Sequence, residues 1–233
     1  MRILGYSERG IINSLIFSIG EDMELMNQFI GLIDLPKTFQ LGTPKDYTVL
    51  LEQSFSRFGD ADLIIIIHYK KPEDKKVLFI EAKVKTLQGN WILQTQYDKY
   101  IDQEQYEKKE RYKGYSSNLF FQLHLKKLLI DYSTVYNGLK EEEGIEEPKF
   151  GDIRKIGNNK IVLDAFELLK DSEAFYIGLI PSKEKEIEEF TKENETGLHF
   201  LAWEKVHEFC KDNEKLEKVL GIFGYNKGQI YEA

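Results

Sequence analysis

The sequence predicts an α/β fold in which a mixed central sheet is flanked by helices and followed by additional helices at the C-terminal end. Three short apolar runs with the composition of strands follow one another between residues 47 and 85. The segments before and after them repeat apolar residues at the spacing of amphipathic helices. A later apolar run, 174–180, ends at Pro181 and adds one more buried strand.

Two helices are predicted before the first strand. Ser7 is a suitable N-cap, and apolar residues then recur at helical spacing until Gly20. A second helix covers about residues 21–31, after which prolines end the helical pattern. Glu8 lies in the first turn on the apolar side of its helix, where a carboxylate gains a favourable interaction with the helix dipole.

The strands are expected to form a meander, and their charged residues are unusual. We place the strands at roughly residues 47–54, 62–70 and 76–85. Asp62 opens the second strand, and Glu81 and Lys83 interrupt the third, although burying an unpaired charge in an apolar strand is costly. Charges at such positions indicate either a functional site or a buried structural ion network.

Strand geometry predicts how these charges are arranged. Side chains alternate between the two faces of a strand, so Glu81 and Lys83 share one face. A four-residue hairpin loop at residues 71–74 would set Ile64 opposite Glu81, with Asp62 as a diagonal neighbour of Glu81. We therefore expect two carboxylates and an ammonium group at one end of a buried hairpin, with both carboxylates able to bind one ion.

Two long helices are predicted after the meander, at about residues 91–112 and 119–139. Gln96 and Tyr100 lie one turn apart on the first of them and share a face. Aromatic and basic residues alternate at 106–115, where they could stack on bases and hold phosphates or form a solvated helix end.

The remaining elements complete the predicted order. The acidic segment 141–148 is typical of a surface excursion, and a helix is expected at about 160–170. Beyond Pro181 we predict a charged helix at 182–194, a short strand at 198–203 that leads into a helix through Cys210, and a last helix near 214–220. We expect residues 1–181 to form the core, with an excursion at about 116–172, and residues 182–233 to form a helical elaboration on the same domain.

Composition and missing motifs exclude several classes of function. A net charge of −8 and a pI of about 5.2 argue against a protein that coats nucleic acid through overall basicity, although a local basic groove stays open. The single Cys210 excludes an internal disulfide framework. No apolar run has the length of a signal peptide or a membrane span, so we expect a cytoplasmic protein without a membrane partner. The phosphate-loop, dinucleotide-binding, nucleophile-elbow and HExxH motifs do not occur.

One family resemblance accounts for the charged residues. Asp62, followed by Glu81-Ala82-Lys83 on the next strand, resembles the active-site signature of the PD-(D/E)xK nuclease superfamily, which has the restriction-endonuclease-like fold. The order helix, three strands, helices, strand over about residues 5–181 is similar to the αβββαβ core of that fold. The string from Gln96 to Tyr100 resembles the Gln-xxx-Tyr element of the exonuclease-type members.

The resemblance implies a Mg²⁺-dependent deoxyribonuclease, with Mn²⁺ as a substitute metal. Asp62, Glu81 and the backbone carbonyl of Ala82 would bind the metal, and Lys83 would assist the attacking water. In several exonuclease-type members an acidic residue on the first helix adds to the metal site, and Glu8 is similar in placement.

The resemblance leaves three questions open. The proline that usually precedes the aspartate is replaced by Ala61, so Asp60 is an alternative to Asp62. Gln96 and Tyr100 would contact the substrate or support the site. The chain could also be a catalytically silent relative that binds nucleic acid or another protein, and a homodimer is one assembly that it could form.

Overall fold

The structure, a computed structural model, describes residues 4–71, 74–85, 91–107, 117–140 and 155–230. It confirms the predicted fold class, because a five-stranded mixed sheet is flanked by helices and followed by additional C-terminal helices. The strands are β1 (Asp46–Ser54), β2 (Asp60–His68), β3 (Lys76–Ala82), β4 (Glu173–Ile180) and β5 (His199–Ala202). The helices are α1 (Ser7–Ile19), α2 (Met23–Gly31), α3 (Leu93–Glu107), α4 (Leu119–Lys140), α5 (Lys160–Leu169), α6 (Glu184–Glu193), α7 (Trp203–Lys211), α8 (Glu217–Tyr225) and α9 (Lys227–Ile230).

The sheet has the strand order β1-β2-β3-β4-β5. The first three strands form the expected antiparallel meander, and β4 lies beside β3 as expected for the last strand of the core. β5 pairs in parallel with β4. The acidic segment 141–148, and residues 108–115 of the aromatic and basic run, lie outside the described residues.

The hairpin of β2 and β3 has a different register from the predicted one. Ile64 lies opposite Phe79, so β3 is displaced by two residues and Glu81 is not the partner of Ile64. The connection runs over residues 69–75 rather than forming a four-residue loop. Lys75, the last residue of this connection, donates from Nζ to the Leu168 carbonyl at 3.0 Å.

The chain forms two compact units, each assembled from separate stretches. The meander unit consists of Gly42–Glu81 and Phe121–Tyr176, and the terminal unit consists of Met1–Leu41, Ala82–Phe120 and Ile177–Ala233. The expected division at residue 181 stays a prediction.

The core of the meander unit is built on the β2–β3 hairpin. The run Leu63–Ile67 is fully buried, which confirms that this strand is covered on both faces. On one face, Ile64 and Phe79 join a cluster that α4 and α5 complete with Leu129, Tyr132, Val162, Ala165, Phe166 and Leu169. One face of the hairpin therefore packs against α4 and α5.

The terminal unit corrects the predicted start of α1. Tyr6 is the N-cap residue and Ser7 is the first residue of the helix, so the prediction of Ser7 as the cap was wrong. The N–H of Ser7 donates instead to Oδ1 of Asn226 at 2.8 Å, from 219 positions further along the chain. A side chain remote in sequence thus replaces the local cap.

No helix in the described part of the chain is both long enough and apolar enough to cross a bilayer.

Candidate active site

The β2–β3 hairpin brings together the two carboxylates that the sequence singled out. Leu63 lies opposite Ile80, and continuing this register by one residue sets Asp62 directly opposite Glu81. Residues that face each other across antiparallel strands have Cβ atoms about 4.5–5.5 Å apart, so the pair is closer than the predicted diagonal arrangement. Asp62 is half-buried, whereas Glu81 is only 1 % exposed.

Lys126, on α4, is a member of the site that sequence analysis missed. Its Nζ lies 3.3 Å from Oε1 of Glu81, and the lysine side chain is fully buried. The sequence carried one signal for this role: Lys126 lies three residues from Leu123 and three from Leu129, on the apolar face of α4. A charge on the core-facing side of a helix indicates a buried partner.

A second contact fixes the ammonium group of Lys126. Nζ donates to the backbone carbonyl of Phe58 at 3.1 Å. Phe58 ends the short 3-10 turn that leads into β2, and Gly59 follows it with a φ of +77°, in the left-handed region that favours glycine. A Cβ on Gly59 would lie 3.4 Å from Nζ, which is an ordinary van der Waals distance, so the positive φ rather than the space favours glycine here.

Burial and the neighbouring acids have opposite effects on Lys126. Burial lowers the pKa of its ammonium group, because the charged form loses its hydration. The carboxylates of Glu81, Asp60 and Asp62 oppose this effect and raise the pKa of Lys126. All three carboxylates therefore act electrostatically on one buried ammonium group.

Asp60 and Asp62 differ mainly in exposure. Asp60 is the first residue of β2 and is exposed, whereas Asp62 is half-buried and next to the fully buried Leu63. In the continued register Asp62 is the residue that faces Glu81. This position favours Asp62 as the partner of Glu81, and Asp60 stays the alternative.

Ala82 and Lys83 belong to the terminal unit, where the backbone after β3 is held firmly. The N–H of Lys83 donates to the carbonyl of Leu179 on β4 at 2.8 Å. The carbonyl of Lys83 accepts a hydrogen bond of 2.8 Å from Nε1 of Trp203. The Lys83 side chain is half-buried on a backbone fixed at both its N–H and its carbonyl.

The other predicted residues also belong to the terminal unit. Glu8 is half-buried in the first turn of α1, which agrees with its predicted place on that helix. Gln96 and Tyr100 are half-buried on α3, as predicted. The Tyr100 ring stacks on Phe120 with centroids 6.0 Å apart, and the Gln96 carbonyl accepts a hydrogen bond from Asn118. Participation of these residues in a metal or substrate site stays a prediction.

β1 has one strained position beside Asp62. Glu52 has a φ of +50°, which residues other than glycine rarely adopt. The residues on either side of Glu52 pair with β2, and the same register sets Glu52 opposite Asp62. Its side chain is exposed. Sequence analysis offered no signal for this position, because glutamate in a strand does not by itself indicate a left-handed backbone.

The donor set is suited to a hard divalent cation. Mg²⁺ is commonly held by one or two carboxylates and retains several waters, and Asp62 and Glu81 supply two carboxylates on facing strands. Within the described ranges there is no group of three or more His, Cys, Asp or Glu residues that could hold a metal ion. The residues therefore fit a site with two carboxylates and water rather than a cage of protein ligands.

The terminal unit contains a cavity of about 600 Å³ whose lining is mainly acidic in its charged residues. The charged residues of the lining are Glu186, Glu189, Glu193, Glu204, Lys85 and Lys183. Four carboxylates against two ammonium groups disfavour phosphate, so this cavity is not suited to the backbone of a nucleic acid.

Comparisons with known proteins assign no family to the chain. No family model matches it, and no curated protein and no solved structure matches it either. Function is therefore inferred from the residues of the chain itself.

Proposed function

We propose that the protein is a metal-dependent nuclease that hydrolyses phosphodiester bonds, with DNA as the favoured substrate. The observation that supports this proposal is the position of Asp62 opposite Glu81, next to the fully buried run Leu63–Ile67. Two like charges on facing strands destabilise a fold unless a cation offsets them. A function that uses a cation gives a reason for such a pair.

Asp62 and Glu81, with the backbone carbonyl of Ala82, would hold the metal ion. A bound Mg²⁺ or Mn²⁺ would polarise the scissile phosphate, lower the pKa of a coordinated water and stabilise the leaving oxygen. Glu81 is held rigidly, because it is buried in the centre of the sheet and next to Lys126. Asp62 is the more accessible of the two and would meet the incoming substrate.

Lys83 would orient the attacking water and offset the negative charge that develops on the phosphate. Its backbone is held by hydrogen bonds to Leu179 and Trp203. A fixed backbone favours catalysis, because a preorganised charge needs little rearrangement in the transition state. Gln96 and Tyr100 would contact the substrate or support the site.

A cleavage assay tests this function. Linear and circular duplex DNA, single-stranded DNA and RNA are incubated with the protein in Mg²⁺, in Mn²⁺ and in EDTA. Wild type is compared with Asp62→Asn, Glu81→Gln and Lys83→Met, and with Asp131→Asn as an exposed control on α4. We expect metal-dependent cleavage by wild type and the control, and a loss of about 10²-fold or more in each site variant.

The assay also decides between the two aspartates. Asp60→Asn should retain activity and Asp62→Asn should lose it; the reverse result would move the ligand to Asp60. Cleavage that persists in EDTA, or in all of the site variants, would contradict the proposal.

A catalytically silent module is the second candidate, and the ion pair between Lys126 and Glu81 favours it. A carboxylate that already has a buried ammonium at 3.3 Å can serve as part of a structural core. In that case the protein would bind nucleic acid or another protein without cleaving its substrate. Nucleic-acid binding measured by fluorescence anisotropy, without cleavage and without metal binding, would support this candidate.

A further inference from the structure

The site already contains a cation of its own. Lys126 Nζ lies 3.3 Å from Oε1 of Glu81 and 3.1 Å from the carbonyl of Phe58, and the side chain is fully buried. Glu81 is 1 % exposed, so water screens the attraction between these two charges only weakly. The geometry accordingly ties Glu81 to Lys126 in the protein without metal.

We propose that Lys126 is the permanent counter-cation of the site and a positioning residue for Glu81. Its ammonium group would repel a divalent metal ion that binds to Asp62 and Glu81, and so lower the affinity for that ion. This inference rests on the proposed function, because it takes Asp62 and Glu81 as the metal ligands. It goes beyond that function because it assigns the control of metal affinity to Lys126, a residue of α4.

The charges around Lys126 favour the binding of a divalent cation. Asp60, Asp62 and Glu81 all act on the ammonium group of Lys126, so acidic side chains outnumber this lysine around it. An excess of carboxylates favours a divalent cation. The affinity for that cation is nevertheless reduced, because the ammonium group repels it at short range and already contacts Oε1 of Glu81.

The contacts of Lys126 also fix the position of Glu81. Nζ forms an ion pair with Glu81 on β3 and donates a hydrogen bond to the Phe58 carbonyl in the turn before β2. The ammonium group thereby fixes Glu81 relative to the start of the strand that contains Asp62. A neutral residue at position 126 would leave Glu81 buried without this cation, and the metal-free fold would lose stability.

Removal of the charge of Lys126 should therefore lower the stability of the metal-free protein and raise its affinity for metal. Lys126→Met should lower the melting temperature in EDTA by roughly 10 °C. The same variant should bind Mn²⁺ about tenfold more tightly than wild type, because the repulsion is gone. A residue with a merely structural role would show the first effect without the second.

The experiment measures Mn²⁺ affinity by isothermal titration calorimetry and melting temperature with and without Mn²⁺. Lys126→Gln is included because an amide retains hydrogen-bond donors and keeps the protein folded if the methionine variant is too unstable. Lys127→Met is the matched control, since it removes a charge from the neighbouring exposed position. A double variant, Lys126→Met with Glu81→Gln, should lose the gain in affinity if the gain belongs to this site.

The outcomes separate this inference from the proposed nuclease function. Tighter Mn²⁺ binding in both Lys126 variants, with Lys127→Met unchanged, supports the role of Lys126. Equal or weaker binding in the Lys126 variants, while wild type binds Mn²⁺ and cleaves DNA, overturns it and leaves the nuclease standing. Binding in the variants alone, with wild type inert, supports Lys126 as the counter-cation and overturns the nuclease. Absence of Mn²⁺ binding in every protein overturns both.

Discussion

Trp203 shows at the scale of single residues how a side chain can fix a distant backbone. Its indole is fully buried and packs edge-on against Phe223, with ring centroids 6.0 Å apart. Nε1 donates a hydrogen bond of 2.8 Å to the carbonyl of Lys83. Loss of the donor to a carbonyl inside a protein lowers the folding stability by about 1–3 kcal/mol. This contact therefore helps to fix the backbone conformation of the predicted catalytic lysine.

Trp203→Phe should lower the free energy of unfolding by about 1–3 kcal/mol or more, because the hydrogen-bond donor is lost and the smaller phenyl ring fills less of the buried site. Urea denaturation followed by circular dichroism measures this change. Under the proposed function the variant should also lose cleavage activity at temperatures where it is fully folded.

Trp91→Phe is the matched control, since Trp91 is a half-buried residue that precedes α3. It should change the free energy of unfolding less than Trp203→Phe does. An unchanged urea midpoint in Trp203→Phe would show that the Lys83 carbonyl does not depend on the indole.

At the scale of elements, α1 begins with a cap that only the fold supplies. Tyr6 makes no side-chain cap, and Asn226, which is 2 % exposed, accepts from the Ser7 N–H. The same amide donates to the carbonyls of Gly5 and Ile222 at 2.8 and 2.9 Å. Asn226 thereby joins the start of α1 to the end of α8 through three hydrogen bonds.

Asn226→Ala should lower the free energy of unfolding by about 2 kcal/mol, because it removes a cap and leaves buried backbone groups without their partner. Asn159→Ala is the comparison, since Asn159 caps α5 locally by accepting from Ile161 at a more exposed position. We expect the Asn159 variant to cost about half as much. Equal midpoints for the two variants in urea would contradict a special role of the remote cap.

At the scale of the whole molecule, we expect three histidines to make the stability depend on pH. Burial is the main cause that lowers the pKa of each of these residues below its usual value, at His68, His199 and His207. As pH falls below about 6.5, the unfolded chain takes up protons on these residues before the folded chain does. Their contribution to stability is therefore fully present above that pH and is lost on acidification.

The melting temperature should consequently fall by roughly a few degrees between pH 7.5 and pH 5.5. Differential scanning calorimetry at fixed ionic strength measures this slope. A triple variant with glutamine at the three positions should show a flatter profile over the same range. A profile of wild type that is flat or rises toward pH 5.5 would rule out histidine protonation as the cause. The carboxylate of Asp22, whose pKa is lowered by its hydrogen bond to Lys215, affects the pH dependence of stability only at more acid pH.

The amino-acid sequence by itself determined the kind, order and approximate bounds of the elements. Apolar runs of strand length gave β1 to β4, and helical periodicity gave the helices around them, because these patterns depend on residues close together in the chain. Asp62 and Glu81 stood out for the same reason: a charge inside an apolar strand is visible without knowledge of its neighbours. Even the shared face of Asp62 and Glu81 was correct, since a displacement of two residues preserves the face.

The tertiary structure decided what lies next to these residues. In the register of the β2–β3 hairpin, which goes with a longer connection than the predicted one, Asp62 lies opposite Glu81. The contact of Lys75 with Leu168 could not be predicted from the hairpin sequence either. Lys126 forms an ion pair with Glu81 although the two residues are 45 positions apart in the sequence. Asn226 caps α1 at Ser7, which is 219 positions away. Such contacts join side chains whose separation along the chain carries no periodic signal, so they arise only when the elements pack.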